Sequence, residues 1–397
     1  MSTPPSRVVI VGASLAGLRA AQTLREEGYD GPVTLIGAEA HLPYDRPPLS
    51  KEFLAGSATR EVIDLPLEQA SDVDLRLSTK AAALDLNNRA VVLESGEEVP
   101  YDGLVLATGA HPRTLPGLTH LDGVFVLRTL EDCLALRRRL EDGPRVTVIG
   151  AGFIGSEVAA TCHQRGLEVT ILEALPVPMG RSVGELVGMR CARLHTDNGV
   201  DLRLGAGVER LAGDKKVEAV VLGDGSTVPA DVVVIGVGVT PTTAWLATSG
   251  LDLDNGVLCD SRCRALVGGQ PVPGVVAAGD MARWDNPFFG EVMRVEHWTN
   301  AAEQGRAAAI TLLQGHGAPV FDPIPYFWSD QYKSKIQFVG RAGPDVAVVD
   351  GSINDDRFVV AYGMEGRLIG ALSFSRPGRL MAWRSKIAAG EPFPTSL

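Results

Sequence analysis

The feature that most constrains the fold is a glycine-rich turn that occurs twice in the chain. In the first copy the apolar run Val8–Val11 ends at Gly12, and a helix-forming run begins at Gly17 after a turn of small residues. In the second copy, residues 145–160, all three glycines of the G-x-G-x-x-G pattern are present. A strand, a tight glycine turn and a helix N-terminus form the phosphate-binding start of a dinucleotide fold. The sequence therefore predicts an α/β chain with two Rossmann-like dinucleotide-binding domains.

The two copies differ at the middle position of the pattern, which is Ser14 in the first copy. A serine adds a side chain where the backbone should approach the phosphates, so the first copy is the weaker motif. Each copy continues into a second apolar run that ends near an acid, Glu39 or Glu173, as expected for a carboxylate that accepts from ribose hydroxyls. The charge of Glu173, with no arginine directly after it, favours NADH over NADPH, although Arg181 could still reach the cofactor.

Length and composition are typical of a multidomain globular protein. The chain has 397 residues, enough for more than one domain, and its net charge of −11 argues against a general nucleic-acid binder. No apolar run is long enough to cross a bilayer, and the first strand begins too early to leave room for a signal segment. We therefore expect a cytoplasmic protein that binds neither nucleic acid nor membrane.

Cysteine and histidine usage adds two expectations. The five cysteines form no C-x-x-C pair, which indicates reduced and mostly buried thiols. The seven histidines lack metal-ligand spacing, so no metal site is predicted.

The remaining patterns predict the domain organisation. Alternation over residues 73–99 predicts a small antiparallel layer, and short strand-like pieces from Tyr326 onwards predict a separate C-terminal α+β domain. Two dinucleotide folds in one chain are explained most simply if one holds a flavin nucleotide and the other a nicotinamide nucleotide. The predicted division is an FAD-binding domain of residues 1–112 and 245–322, an NAD-binding domain of residues 113–244 and a C-terminal domain of residues 323–397.

Five motifs together resemble a known family. They are PYDRPPLSK at 43–51, GAGFIGSEVAA at 150–160, AAGD at 277–280, EHWTNAAEQG at 296–305 and FWSDQY at 327–332. They span nearly the whole chain, and in this order they resemble the FAD-dependent ferredoxin reductases that serve oxygenases. The resemblance implies a glutathione-reductase-like fold, in which an FAD domain is interrupted by an NAD domain and followed by a C-terminal domain.

The resemblance also implies roles for matching residues around the flavin. Lys51 would lie near the reactive ring nitrogen, Asp280 would bond a ribityl hydroxyl, and Trp298 and Trp328 would lie close to the isoalloxazine ring. His297 is expected to be structural or adjacent to the flavin. The complete set of expected FAD-binding residues is Gly12, Ser14, Leu15, Ala16, Gly17, Glu39, Arg46, Lys51, Ala107, Thr108, Gly109, Arg128, Gly279, Asp280, Glu296, His297, Trp298 and Trp328.

For the nicotinamide nucleotide, Phe153 matches the position of an aromatic residue that covers the empty nicotinamide pocket in related flavoenzymes. The expected NADH-binding residues are Gly150, Gly152, Phe153, Ile154, Gly155, Glu157, Glu173, Arg181, Gly236, Val237 and Gly238. We further hypothesise that Glu157 pairs with Lys51 and holds the lysine beside the flavin. Lys51, Glu157 and Trp298 are the candidate catalytic residues.

The implied activity is NADH-dependent reduction of a 2Fe–2S ferredoxin through FAD, in the service of a cytochrome P450 or a ring-hydroxylating Rieske dioxygenase. A disulfide reductase of this fold would carry a cysteine pair just after the first acid, and a related oxidase or peroxidase one cysteine, but residues 39–56 contain none. Two alternatives stay open: an NADH oxidase, and a redox-sensing flavoprotein that resembles apoptosis-inducing factor. The oligomeric state, monomer or homodimer, is also open.

The partner surface is the least constrained part of the prediction. Arg376, Arg379, Arg384 and Lys386 lie close together in an otherwise acidic chain. They would form a basic patch that attracts an acidic ferredoxin, or simply a solvated helix face.

Overall fold

The computed structural model describes residues 4–115 and 121–394. These residues form two compact units. The first unit consists of residues 4–45, 63–111 and 240–325, and the second of residues 46–62, 112–115, 121–239 and 326–394. The expectation that no signal segment precedes the first strand involves residues 1–3, which lie outside the described residues.

Within the described residues the chain forms eight α-helices: α1 Leu15–Glu26, α2 Glu52–Ala55, α3 Arg60–Ile63, α4 Leu130–Arg139, α5 Phe153–Gln164, α6 Gly180–Asp197, α7 Trp298–Gln314 and α8 Pro377–Ala388. Short 3₁₀ turns occur at Pro47–Ser50, Glu68–Ala70, Leu140–Asp142, Ala244–Leu246, Gly279–Met281 and Gly315–Gly317. No helix in the described ranges combines the length and the apolar composition that crossing a membrane requires.

The described strands are, in chain order, β1 Val8–Val11, β2 Val33–Ile36, β3 Asp74–Arg76, β4 Ala81–Asp85, β5 Ala90–Leu93, β6 Glu98–Pro100, β7 Gly103–Leu106, β8 Ala110–Pro112, β9 Val124–Phe125, β10 Val146–Ile149, β11 Val169–Glu173, β12 Asp201–Leu204, β13 Val208–Ala212, β14 Ala219–Leu222, β15 Thr227–Pro229, β16 Val232–Ile235, β17 Val239–Pro241, β18 Val257–Cys259, β19 Arg264–Val267, β20 Gln270–Ala277, β21 Ala282–Asn286, β22 Glu291–Met293, β23 Tyr326–Gln331, β24 Ser334–Gly340, β25 Asp345–Asp350, β26 Phe358–Met364 and β27 Arg367–Phe374.

The first unit is built on a nine-stranded sheet in the order β22-β21-β18-β19-β20-β7-β1-β2-β3. Its centre is parallel: Val8 pairs with Val33 on one side and with Gly103 on the other. All four residues of β1 and of β7 are buried, as expected for apolar strands covered on both faces. The strand order changes direction at β1, because β2 lies on one side of it and β7 on the other. A ligand-binding crevice is therefore expected at the carboxyl ends of β1 and β7. The predicted antiparallel layer is also present, as β4-β5-β6.

The second unit repeats this arrangement in a parallel sheet ordered β12-β11-β10-β16-β9. Val146 on β10 pairs with Val169 on β11 and with Val232 on β16, which matches the pairing of the first unit strand for strand. A separate antiparallel sheet, β23-β24-β27-β26-β25, forms the C-terminal part of the same unit together with α8. The two-fold Rossmann-like architecture and the C-terminal α+β fold predicted from the sequence are therefore confirmed.

Helix α6 covers one face of the C-terminal sheet. Its apolar residues, Val183 and Val187 among them, pack in one buried cluster with Phe358 and Tyr362 of β26. The helix is kinked at Gly184, whose φ of 76° and ψ of 171° are not helical. The Tyr362 hydroxyl donates to the carbonyl oxygen of Val183 at 2.7 Å, so this buried carbonyl has a partner at the kink.

Two further expectations can be compared with the structure. All five cysteines are buried and none forms a disulfide, as predicted. Residues 46–62 pack in the second unit, whereas the predicted FAD-binding domain of residues 1–112 includes them. The division into FAD, NAD and C-terminal domains stays a prediction.

Burial of His195 on α6 predicts an acid-dependent loss of stability. His195 is fully buried with its Nδ1 2.8 Å from the Tyr332 hydroxyl oxygen, and burial lowers its pKa from 6.5 to about 4. Between these values the unfolded chain binds more protons than the folded chain. Above pH 6.5 the burial of His195 therefore does not reduce the free energy of unfolding. As the pH falls from 6.5 towards 4, this free energy decreases by up to about 1.4 kcal/mol per pH unit.

We expect His195→Gln to flatten this decline in the free energy of unfolding, measured by urea titration at several pH values. His163→Gln is the matched control, because the His163 ring packs edge-on against the same Tyr332 ring but is only half-buried. Equal pH slopes in wild type and His195→Gln would contradict the prediction.

Candidate active site

The first glycine turn is packed too closely for side chains. A Cβ at Gly12 would overlap the carbonyl oxygen of Ala107, and a Cβ at Gly17 would overlap the carbonyl oxygen of Gly12. Gly12 also has a φ of 119°, which residues with a side chain rarely adopt. Helix α1 is thereby held directly against the ends of β1 and β7. The N–H groups of its first turn, from Leu15 onwards, have no acceptor within the helix and are available to a phosphate group.

The second glycine turn has the same construction. A Cβ at Gly150 would overlap the carbonyl oxygen of Gly236, and a Cβ at Gly155 would overlap that of Gly150. The middle glycine is different, because a Cβ at Gly152 would lie 3.9 Å from its nearest neighbour, the Gly236 oxygen. The fold therefore requires glycine at the first and third positions but leaves room at the second. Ser14 occupies this middle position in the first copy.

The two predicted ribose-binding carboxylates are each held by partners in their own unit. Glu39 accepts a hydrogen bond from the Tyr44 hydroxyl at 2.5 Å. Glu173 accepts from the backbone N–H of Ala151 at 2.7 Å through Oε2 and from that of Leu175 at 2.8 Å through Oε1. Glu173 is thus fixed beside the second glycine turn, and each of its oxygens keeps a lone pair for a further donor.

Several predicted FAD-binding residues lie at the carboxyl edge of the first sheet. Thr108 follows β7, and its hydroxyl donates to the Thr242 carbonyl oxygen at 2.8 Å. Asp280 lies in the 3₁₀ turn after β20, where its carbonyl oxygen accepts from Arg294 at 3.0 Å. Because the strand ends meet at one edge of a parallel sheet, these residues and the first glycine turn border the same crevice.

Trp298 and His297 stand at the start of α7 in the same unit. The indole N–H of Trp298 donates to Asp45 Oδ1 at 2.7 Å, which fixes the plane of the ring. Burial lowers the pKa of His297 to about 4, and the negative charge of Asp280 opposes this only in part. His297 is therefore uncharged at neutral pH, which supports a structural role.

A buried polar cluster in the second unit contains the predicted ion pair. Lys51 Nζ donates to Glu157 Oε2 at 2.7 Å, and both side chains are nearly inaccessible, at 11% and 4% exposure. The Ser50 hydroxyl donates to the same oxygen at 2.5 Å, and the Ser329 hydroxyl donates to Glu157 Oε1 at 2.7 Å. The pairing of Lys51 with Glu157 is therefore confirmed. We call Ser50, Lys51, Glu157 and Ser329 the Glu157 cluster.

The proline-rich loop that carries Lys51 is fastened to two helices of its unit. Thr161 on α5 donates to the Ser50 carbonyl oxygen at 2.8 Å, and the Cys133 thiol on α4 donates to the Leu49 carbonyl oxygen at 3.1 Å. Arg46 reaches the carbonyl oxygen of Arg128 at 2.6 Å. Burial raises the pKa of the Cys133 thiol to about 12, so the thiol stays protonated and unreactive.

Aromatic side chains of the second unit pack beside these elements. Phe153, the first residue of α5, makes an edge contact with Phe327 at a centroid distance of 4.6 Å. Trp328 stacks on Tyr326 with centroids 6.1 Å apart. The structure thus brings Phe153 together with the strand that also carries Ser329.

The predicted site residues divide between the two units. The first unit contains Gly12, Ser14, Leu15, Ala16, Gly17, Glu39, Ala107, Thr108, Gly109, Gly279, Asp280, Glu296, His297 and Trp298. The second unit contains Arg46, Lys51, Arg128, Gly150, Gly152, Phe153, Ile154, Gly155, Glu157, Glu173, Arg181, Gly236, Val237, Gly238 and Trp328. Their assignment to FAD or NADH stays a prediction.

Sequence reasoning missed five residues that orient these groups: Tyr44, Asp45, Ser50, Ser329 and Gln331. All five lie inside the quoted motifs PYDRPPLSK and FWSDQY. The motifs marked the segments, but no spacing within them shows which side chain bonds to which.

The two glycines of the second turn provide a matched test. A methyl group at Gly155 would collide with backbone, so we expect Gly155→Ala to destabilise the protein by about 2 kcal/mol. Gly152 has a φ of −73°, which any residue adopts, and open space around it. Gly152→Ala should therefore leave the melting temperature nearly unchanged but weaken NADH binding about tenfold, because the methyl group would occupy the space that we expect the pyrophosphate to fill.

Thermal unfolding and NADH titration of both variants check this prediction. Unchanged NADH affinity in Gly152→Ala would show that the nucleotide does not use the space at position 152.

Comparison with known proteins agrees with this geometry. The family model of pyridine nucleotide-disulphide oxidoreductases matches residues 6–305, and the reductase C-terminal model matches residues 326–396. Rhodocoxin reductase from Rhodococcus erythropolis is 37% identical over 97% of this chain and 90% of its own length. The ferredoxin–NAD(+) reductase component of the anthranilate 1,2-dioxygenase system from Burkholderia cepacia is 37% identical over 100% of this chain and 97% of its own length.

Among solved structures, putidaredoxin reductase in its covalent complex with putidaredoxin superposes with a TM-score of 0.92 and 34% sequence identity. The match covers 98% of this chain and 94% of that chain. With the two glycine turns, their carboxylates and the C-terminal sheet all in place, the chain belongs to the pyridine nucleotide-disulphide oxidoreductase family.

Proposed function

We propose that the chain is an NADH-dependent, FAD-containing reductase of a 2Fe–2S ferredoxin that supplies an oxygenase. The observation that carries the proposal is the similarity over nearly full length to ferredoxin reductases, including a component of a dioxygenase system. The terminal oxygenase would be a cytochrome P450 or a ring-hydroxylating Rieske dioxygenase.

The residues present fit two dinucleotide cofactors. Each unit has a glycine turn closed against a strand end, a helix N-terminus behind it and a carboxylate at the end of the second strand (Glu173) or just after it (Glu39). We assign FAD to the turn at Gly12 with Glu39, and NADH to the turn at Gly150 with Glu173. FAD bound there would supply the conversion between two-electron transfer from NADH and one-electron transfer to an iron–sulfur partner.

This chain's own residues would orient the reactants and set the local charge. The fixed carboxylate of Glu173 would accept from the adenosine ribose of NADH and disfavour a 2′-phosphate at the same place. Lys51, held by Glu157, would supply a positive charge beside the flavin, and Trp298, held by Asp45, an aromatic surface. Hydride transfer needs no general base, so His297 is not required to accept a proton in this reaction.

Buried thiols support this assignment over thiol-based chemistry. All five cysteines are free and buried, and residues 39–56 contain none. A redox disulfide needs two accessible neighbouring thiols, so a disulfide reductase is disfavoured. Free buried thiols also support a cytoplasmic location, where disulfides are rare.

The proposal is tested by NADH-driven reduction of cytochrome c, with and without an added 2Fe–2S ferredoxin. We expect the rate to rise steeply with ferredoxin concentration and to be lower with NADPH, because Glu173 repels the additional phosphate. Oxygen uptake is recorded in parallel as the control for unproductive oxidation of NADH.

Two outcomes would contradict the proposal. NADH consumption that matches oxygen uptake and ignores ferredoxin would identify an NADH oxidase. A long-lived reduced complex with slow turnover would favour the redox-sensing flavoprotein.

The predicted basic patch on α8 is smaller in the structure than in the sequence. Arg376 contacts both carboxylate oxygens of Asp350, at 2.8 and 2.7 Å, and Lys386 lies 3.7 Å from Glu391. Asp350 is 26 positions from Arg376 in the sequence, and Glu391 follows the end of α8. Arg379 remains the most accessible of the paired cations, with 72% of its side chain exposed.

Arg379 and Lys386 therefore test whether α8 attracts the ferredoxin. Replacing both with glutamine should slow ferredoxin reduction a few-fold at low salt and not at high salt, because screening removes the attraction. Lys215→Gln, which removes an exposed cation from the turn between β13 and β14, is the control. If the double variant keeps the wild-type salt dependence, α8 is not part of the docking surface.

A further inference from the structure

The Glu157 cluster has a defined hydrogen-bond direction. Gln331 Nε2 donates to the Ser329 oxygen at 3.2 Å, and the Ser329 hydroxyl donates in turn to Glu157 Oε1 at 2.7 Å. On the other side of the carboxylate, Lys51 and Ser50 donate to Oε2. Amide and ammonium N–H groups can only donate, so every bond in the series points towards Glu157. The Glu157 carboxylate therefore accepts three direct hydrogen bonds, from Lys51, Ser50 and Ser329.

The buried face of β23 carries polar residues, Ser329 and Gln331, at positions where apolar side chains are expected. Along β23 the buried positions alternate, and they are Phe327, Ser329 and Gln331. Burying a serine and a glutamine there costs free energy that an apolar pair would not. The cost is not fully offset, because Gln331 Oε1 has no hydrogen-bond partner among the described residues.

The position of β23 explains how these polar residues reach Glu157. It is an edge strand of the C-terminal sheet, with β24 as its sheet neighbour. Phe327 on the same face packs against Phe153 at the start of α5, the helix that carries Glu157. The polar pair is therefore aimed at the α5 carboxylate.

We propose that Ser329, oriented by Gln331, is a positioning residue that fixes the Glu157 carboxylate and through it the ammonium group of Lys51. The C-terminal segment would thus set the orientation of a charged group that belongs to the proline-rich loop. The proposal rests on the proposed function, which places Lys51 beside FAD.

The direct test is the rate at which an acylating reagent modifies Lys51 in the FAD-loaded protein, followed by mass spectrometry. Ser329→Ala removes one donor, so Glu157 can rotate and Lys51 is held less firmly. We expect acylation of Lys51 to accelerate about fivefold, the factor typical of one lost hydrogen bond. Glu157→Gln sets the upper limit, and Ser329→Thr, which keeps the hydroxyl, should restore the slow rate.

Ser373→Ala is the matched control. Ser373 is another fully buried serine of the same sheet, on β27, and its oxygen accepts from the backbone N–H of Arg376 rather than contacting Glu157. We expect its loss to leave Lys51 acylation unchanged. Wild-type acylation rates in Ser329→Ala, or an equal acceleration in Ser373→Ala, would overturn the proposal.

A second measurement separates positioning from general loosening of the fold. The pH profile of FAD reduction by NADH should shift in Ser329→Ala and not in Ser373→Ala, because only the former changes the surroundings of a charged pair. An unshifted profile in Ser329→Ala would count against the proposal. The acylation test needs neither NADH nor ferredoxin, so it decides the role of Ser329 even if the chain fails to reduce a ferredoxin.

Discussion

The architecture depends on one close contact, in which the backbone of a helix packs against the carbonyl oxygen of the glycine that follows the preceding strand. Gly17 lies on the Gly12 oxygen in the first unit and Gly155 on the Gly150 oxygen in the second, with no space for a Cβ in either. This approach places a helix N-terminus at the carboxyl edge of a parallel sheet, where its N–H groups and its dipole act together. The two cofactor sites that we propose both follow from it.

Much of this arrangement could be predicted from the sequence. The apolar runs at β1 and β10, each followed by small residues, indicate parallel strands because such strands are buried on both faces and allow no polar alternation. The acids at Glu39 and Glu173 follow from the spacing of the same motif. The pairing of Lys51 with Glu157 is a hypothesis of the sequence analysis that the structure confirms.

What the sequence could not provide were contacts between segments distant along the chain. Ser329 contacts Glu157 across 172 positions of sequence, and Arg376, which precedes α8, contacts Asp350 at the end of β25. Such pairs depend on how sheets and helices pack, which local periodicity does not record. For the same reason, the local sequence does not show that Asp350 and Glu391 partly neutralise the basic residues at α8.

The open space at Gly152 separates two kinds of information that a single motif carries. The outer glycines record what the polypeptide needs in order to close the turn, and they would be required even in a protein that bound nothing. The fold makes no such demand at the middle glycine, so the open space there is available to a bound molecule, which we propose to be NADH. Ser14, at the corresponding place in the first unit, therefore leaves the fold intact and changes only the surface that faces a bound ligand. The two units can in this way keep the same backbone framework while the side chains that line their binding sites differ.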